Sequence, residues 1–318
     1  MPASRLRHLV AAAALAAAAP ALADAPGVVA DIAPVQSIAA AVMAGVGVPA
    51  LIVPPGASEH HHALRPSEAG ALEAADLVVW VGPALTPWLE DPLDALAPDA
   101  ARLTLVDVPG LRLLPFREGG PFEAHDHDQE HEHGHDHGHD HDHDAPIDPH
   151  VWLDPANAAA IAAAIADALG AADPENAAAY AANAAAFAAD MEALRAEIGA
   201  RVAPLSDRPF FVFHDAYQYF ETAFDLPAAG SVALGDADAP RAARVAEIRD
   251  RLTTEDVACI FAEPQFEPRL IPTLVEGTQV RIGQLDPLGA TLRPGPELYP
   301  TLMRNLADGL AACLAPGD

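Results

Sequence analysis

Positive charge is scarce in this chain: 17 lysines and arginines stand against 46 aspartates and glutamates, a formal net charge of -29. Such a surface offers no basic patch to read phosphates. It repels nucleic acid and anionic lipid, which leaves cations as the natural small partners. Acidity alone names no particular cation. Long hydrophobic runs are missing too. The apolar stretch from Leu9 to Ala19 follows Arg5 and Arg7, and with fewer than about 17 apolar residues before Pro20 it is short for a bilayer core. It closes on Ala21-Leu22-Ala23, the small-residue pattern that a signal peptidase cuts. Residues 1–23 therefore read as an export signal, with the mature chain starting near Asp24. No later segment looks like a membrane span, and no cysteine follows the apolar run, which excludes a lipidated anchor and implies a freely diffusing periplasmic protein.

Only two cysteines exist, Cys259 within an apolar run and Cys313 in a C-terminal helical pattern. They are either a disulfide or two buried core thiols, and export to an oxidising compartment favours the bridge.

What the sequence does contain is enough apolar material for two cores: 51% of its 318 residues are hydrophobic. Short apolar runs at Val28 to Ile32, Ala50 to Val53, Leu77 to Val81 and Leu103 to Val106 alternate with helical stretches. This alternation predicts a parallel sheet covered by crossover helices. A second set follows the same plan. Its strands are expected at Phe210 to Phe213, Ala258 to Ala262 and Val280 to Leu285, with helices after His214, from Arg241 to Thr253 and from Leu298 to Leu314. The fold class expected is α/β, with two lobes, each a mainly parallel sheet flanked by helices, at residues 24–170 and 204–318. Alanine-rich stretches at Asn157 to Leu169 and Pro174 to Ala203 separate the strand sets, and the second has no interior glycine before Gly199. A helix of some thirty residues there would extend about 45 Å. It is either a rigid strut at 171–203 joining the lobes or an amphipathic helix of one domain.

Residues 119–146 interrupt this pattern. His125, His127, His131, His133, His135, His137, His139, His141 and His143 are interleaved with aspartate, glutamate and glycine, and hardly any apolar residue is present. Such a segment cannot bury a core and is expected to be a disordered surface loop. His131-Glu132-His133-Gly134-His135 formally fits the H-E-x-x-H protease pattern, but the glycine and aspartate repeats preclude the apolar helix that chemistry needs. Closely spaced imidazoles should instead bind Zn²⁺ weakly and rebind it often.

Five histidines remain outside the leader and that loop: His60, His61, His62, His150 and His214. His60 follows the run Ala50 to Val53 through Pro54-Pro55-Gly56-Ala57-Ser58, His214 follows Phe210 to Phe213, and Asp286 follows Val280 to Leu285. In an open α/β sheet, ligands bind beyond the carboxyl ends of the strands, so these side chains emerge where a site is expected. Neutral imidazoles with a carboxylate suit Zn²⁺, whereas a mostly carboxylate site would suit Mn²⁺ or Mg²⁺. Spacing alone does not separate ligands from surface histidines.

Gly56-Ala57-Ser58-Glu59-His60 followed by Leu64-Arg65-Pro66-Ser67 resembles the first metal-ligand motif of the ZnuA family of zinc-uptake binding proteins. The blocks Ala75 to Pro83, Asp148-Pro149-His150-Val151-Trp152-Leu153, Phe211 to Tyr217, Ala262-Glu263-Pro264-Gln265-Phe266 and Leu285-Asp286-Pro287-Leu288-Gly289 are similar to later family blocks, in family order. The resemblance covers essentially the whole mature chain. It implies two lobes joined by one long rigid helix, a transported Zn²⁺ held in the interlobe cleft, a monomer, and delivery to an ABC permease in the inner membrane. Position by position, His60, His150 and His214 match the family's histidine ligands. His214 stands where manganese-binding relatives usually carry glutamate, which supports zinc. Asp286 is placed near the metal, and Asp286, Glu59 or water fills the fourth position. Cys259 and Cys313 match a disulfide of the zinc branch. The sequence departs from the family at His61 and His62, where an acidic and an aromatic residue are common; either could replace or supplement His60, but the match of Gly56-Ala57-Ser58-Glu59-His60 favours both as solvent-facing residues at the cleft mouth.

Three other readings compete: a manganese- or iron-binding relative of the same transport class, a zinc hydrolase with Glu59 or Glu263 as general base, and a stand-alone periplasmic zinc buffer. Nothing in the sequence marks a substrate pocket, and no enzymatic activity is expected.

Overall fold

The computed structural model describes residues 25–117, 122, 146–233, 242–266 and 270–315. The expected export signal and the histidines from His125 to His143 lie outside the described residues. Strand β1 (Val28–Ala30), helix α1 (Ala33–Val42), β2 (Ala50–Leu51), α2 (Pro66–Glu73), β3 (Leu77–Trp80), α3 (Glu90–Leu96) and β4 (Ala101–Thr104) alternate along the first part of the chain. Every pairing among these strands is parallel, in the order β2-β1-β3-β4. Central strands of such a sheet are covered on both faces, and β1 and β3 are accordingly uninterrupted apolar runs buried at every position.

Helices α4 (Pro155–Ala172) and α5 (Ala177–Val202) follow. Asp154 caps α4 by accepting the Ala156 N–H at 2.8 Å, and Pro155 opens its first turn. The helix expected from Pro174 starts at Ala177, because residues 173–176 form the turn between the two helices. There the Asp173 carboxylate accepts the Asn176 amide and the Tyr180 hydroxyl. Along α5 the buried residues Tyr180, Ala184, Phe187, Met191, Leu194, Ile198 and Val202 recur every three or four positions and so share one face. At 26 residues the helix is about 39 Å long.

The second sheet is again parallel, in the order β6-β5-β7-β8. Its chain order is β5 (Phe210–His214), α6 (Gln218–Phe224), β6 (Gly230–Ala233), α7 (Ala242–Thr254), β7 (Cys259–Ala262), α8 (Leu270–Val275), β8 (Arg281–Gln284) and α9 (Leu298–Leu314). Two parallel sheets with a long helix in the middle match the expected fold class. Strand β6 was not foreseen: Gly-Ser-Val-Ala has too little β-branched or aromatic content to signal a strand, and the β5 ladder makes it one. Strand β4 begins two residues before the expected Leu103, set by its register with β3.

One apolar cluster runs through both halves. It includes Val35 and Ile38 of α1, Phe187 and Met191 of α5, Phe220 of α6 and Leu302 and Leu306 of α9. Helices α1 and α9, from opposite halves, are tied where the Tyr299 N–H donates to Ser37 Oγ at 2.9 Å. Helix α4 is long and apolar enough to cross a membrane, but its Ile161, Ile165 and Leu169 are buried in this core.

Cys259 of β7 and Cys313 of α9 form the disulfide that the resemblance implied. With a sequence separation of 54, the chain-entropy relation assigns the bridge about 4 kcal/mol. Reduction of the zinc-free protein is expected to lower its unfolding free energy by up to that amount, read as a lower urea midpoint with reductant present.

Candidate metal centre

Each donor reaches the centre from a strand end or from a turn fixed by buried hydrogen bonds. Beyond β2 the chain turns through Pro54-Pro55-Gly56, where Gly56 has φ of 83°, a conformation that glycine adopts at little cost. The His60 N–H then donates to Ser58 Oγ at 3.2 Å, and the Trp88 indole N–H donates to the Glu59 carbonyl at 2.7 Å. This pins the loop to the wall of its own lobe.

His214 is the last residue of β5. Side chains alternate along a strand, and Phe211 and Phe213 face an outer cluster while Phe210 and Val212 face the central core. His214 shares that inner face. Strands β5 and β7 pair with Phe210 opposite Cys259, and four residues further that register sets His214 against Glu263. The His214 Nδ1–H donates to Glu263 Oε1 at 2.8 Å, and Gln265 Nε2 donates to the other carboxylate oxygen at 3.1 Å.

His150 sits in a turn organised by Asp148, whose Oδ1 accepts both the His150 backbone N–H at 3.0 Å and Nδ1–H at 2.7 Å. Tyr219 of α6 donates to the Asp148 carbonyl, Trp152 donates to the Pro287 carbonyl, and Tyr299 donates to the Trp152 carbonyl. Residues from both halves therefore hold this turn.

These segments bring Glu59, His60, His150 and His214 together, with one potential donor atom from each lying within 4.8 Å of all the others. The ring centroids of His150 and His214 are 5.4 Å apart, and His60 lies 6.0 and 6.2 Å from them. Tetrahedral coordination at zinc–nitrogen distances puts donors roughly 3.3 Å apart, so a small contraction closes the cluster around an ion. Glu59, His150 and His214 are buried, whereas the His60 side chain is 20% exposed and marks the open side. Carboxylates on Nδ1 of His150 and His214 fix the tautomer that presents Nε2 for coordination. His150 Nε2 is buried and has no hydrogen-bond partner within the protein. Burial, then the nearby His214, pushes His150 well below the usual histidine value, so its ring is neutral and competent to bind metal at neutral pH.

Among the described residues, His61, His62 and Asp286 stand outside this group. His61 is exposed, and a His62 ring nitrogen meets Glu68 Oε2 at 2.8 Å while the ring packs against Trp88. Asp286 is adjacent rather than included: its Oδ1 accepts the N–H groups of Leu288 and Gly289, at 3.2 and 2.8 Å. It still contributes to the local charge, because burial first, and then Glu263, Asp286 and Glu59, push the Tyr217 phenol far above its usual value. Glu263, read from sequence as a nominal general base, orients His214 instead. Asp148 and Trp88 were not singled out beforehand. The Asp-Pro-His spacing carries a signal for Asp148, since an aspartate two residues before a histidine can cap its N–H. Nothing local in the sequence marks Trp88.

A family model described as zinc-uptake complex component A, periplasmic, matches residues 28–313. A high-affinity zinc uptake system protein ZnuA from Brucella suis biovar 1 (strain 1330) is 48% identical over 306 residues, covering 91% of this chain and 92% of that protein. The protein of the same description from Paracoccus denitrificans (strain Pd 1222) is 43% identical, with 98% of each chain covered. Among solved structures, a crystal structure of ZnuA superposes with a TM-score of 0.75 over 91% of this chain and 98% of that one; its 23% identity supports the fold alone.

His150→Ala or His214→Ala is expected to remove tight binding in a Zn²⁺ titration. Glu263→Ala should weaken it by about 10- to 100-fold, the usual cost of losing a partner that orients a ligand. His62→Ala should retain a tight site, and its loss there instead would reassign the ligand loop.

Proposed function

The chain belongs to the ZnuA family of zinc-uptake proteins, and from that premise we propose that it captures Zn²⁺ between its two lobes and delivers the ion to an ABC permease. The observation that carries this reading is the buried donor set of three imidazoles and one carboxylate. Imidazole nitrogen suits zinc, while Mn²⁺ and Mg²⁺ favour sites built mainly from oxygen. His60, His150, His214 and Glu59 are the proposed ligands. Asp286 serves as an outer charge that keeps the 286–291 turn in place. Glu59 takes the position a hydrolase would leave for water, and transport fits that arrangement without a substrate pocket.

The protein works in the periplasm as a monomer, after cleavage near Ala23 and without a lipid anchor. Residues 119–146 act as an auxiliary collector, where His125, His127, His131, His133, His135, His137, His139, His141 and His143 hold zinc weakly at high local concentration. Docking on the permease distorts the cluster and releases the ion.

Growth on zinc-depleted medium tests the function. A strain lacking the gene should fail there and recover with the wild-type chain but not with a His150→Ala/His214→Ala variant; equal recovery by both would remove the cluster from the transport role. Deletion of residues 123–144 should abolish the weak zinc equivalents and leave one tight site.

Protons and zinc compete for the same imidazole nitrogens, so affinity should fall as pH drops from 7 to 5. Because burial holds His150 below the ordinary value, the steep part of the loss belongs below about pH 6.5. An affinity that is flat across this range would rule out histidine coordination.

A further inference from the structure

The largest buried charge cluster that the metal centre does not use lies beside it. Arg117, at the start of the histidine-rich insertion, reaches two carboxylates of the opposite half. Its Nε donates to Asp215 Oδ2 at 3.0 Å and its Nη2 to Asp215 Oδ1, while Nη1 and Nη2 donate to Glu221 at 2.6 and 3.0 Å. Both acids are buried, Glu221 also accepts the Ala228 N–H at 2.9 Å, and the Phe122 ring covers the guanidinium at 3.8 Å. One arginine therefore bridges two buried acids in fork geometry, which a lysine ammonium cannot reproduce.

The placement of the three partners gives this cluster its meaning. Asp215 directly follows His214, and Glu221 lies on α6. Arg117 ends a short stalk in which Pro115 pairs antiparallel with Ile147, the Phe116 N–H donates to the Pro146 carbonyl, and the Asp148 N–H donates to the Leu114 carbonyl. That stalk runs into Asp148, the residue that orients His150. Tyr219 of α6 joins the same structure, since its hydroxyl accepts the Leu114 N–H and donates to the Asp148 carbonyl. The His150 turn and the His214 strand end are thus connected twice, once through the Tyr219 hydroxyl and once through the guanidinium.

We propose that Arg117 is a positioning residue for cargo retention: by forking across Asp215 and Glu221 it fixes the spacing between the segments that carry His150 and His214. This rests on the zinc-site reading above. The ion enters from the exposed His60 side, so the latch leaves arrival unaffected and sets how long the closed cluster persists. Loss of a supporting contact of this kind acts on dissociation more than on association.

The test compares the full-length wild type with R117K, which keeps the charge but not the fork, and with R117M/D215N/E221Q, which removes the latch without leaving a buried charge. Zinc is the probe, its slow release to a chelator is followed by stopped flow, and melting of the zinc-free proteins reports folding. Both variants should release the tightly held ion about tenfold faster or more, with one tight site and an unchanged association rate. Release at the wild-type rate from either folded variant overturns the latch. Should neither fold, hydrogen exchange in the wild type decides: amides of Leu114, Phe116 and Arg117 and of residues 215–221 should slow together on zinc addition, and unchanged exchange in either segment overturns it. A wild type with no slowly released zinc would defeat the zinc-site reading itself, a result distinct from failure of the latch.

Discussion

Two carboxylate–imidazole pairs, Asp148 with His150 and Glu263 with His214, are the interaction on which the rest of the structure depends. An imidazole buried without a partner turns about its χ angles and chooses its tautomer freely, and neither freedom is compatible with a preformed donor set. A carboxylate on Nδ1 removes both and raises the basicity of Nε2. The acids are themselves buried, and burial pushes Glu263 upward against the opposing effect of His214. Each pair is therefore stable only when its members meet at hydrogen-bond distance, which makes backbone register the controlling variable. The β5–β7 ladder supplies that register for His214, and a turn of three residues supplies it for His150.

Register is maintained between the lobes as well as within them. The long face of α5 packs against elements of both halves, α1 and α9 contact across the divide, and the apolar core is continuous. Two lobes sharing a core move less than two lobes joined by a linker, because opening would expose apolar area at roughly 25 cal/mol per Å². The donor cluster sits above this frame, where small shifts of loops and side chains are possible and large hinge opening is resisted.

Much of this was legible in the sequence. His60 and His214 could be placed because apolar runs precede them and strand ends of an open sheet converge on the cleft. The parallel sheets followed from buried runs such as Leu77–Trp80. What stayed hidden depended on contacts between remote residues. Asp286, with Glu59 or water as the other choices, was the reading for the fourth position; in three dimensions Asp286 Oδ1 accepts the N–H groups of its own turn, while Glu59 lies with the histidines. His62 could not be set apart from His60 by spacing, because Glu68 and Trp88, which hold it away from the cluster, lie six and twenty-six positions onward. Strand β6 is made by its neighbour rather than by its own four residues.

The acidity of the chain acts on a different length scale from these contacts. A net charge of -29 draws divalent cations toward the whole surface, but screening limits that attraction to about 8 Å at physiological ionic strength. It therefore raises the rate of encounter without selecting among cations. Selection is left to the proposed donor set, where three nitrogens outnumber one carboxylate. Retention then depends on the frame that keeps those nitrogens close. Attraction, choice and holding are thus assigned to separate parts of the molecule: surface carboxylates, imidazole identity, and the buried acids that fix the rings in place. Because the buried acids serve the last of these, Asp148 and Glu263 can stand beside the centre without converting a nitrogen site into an oxygen one.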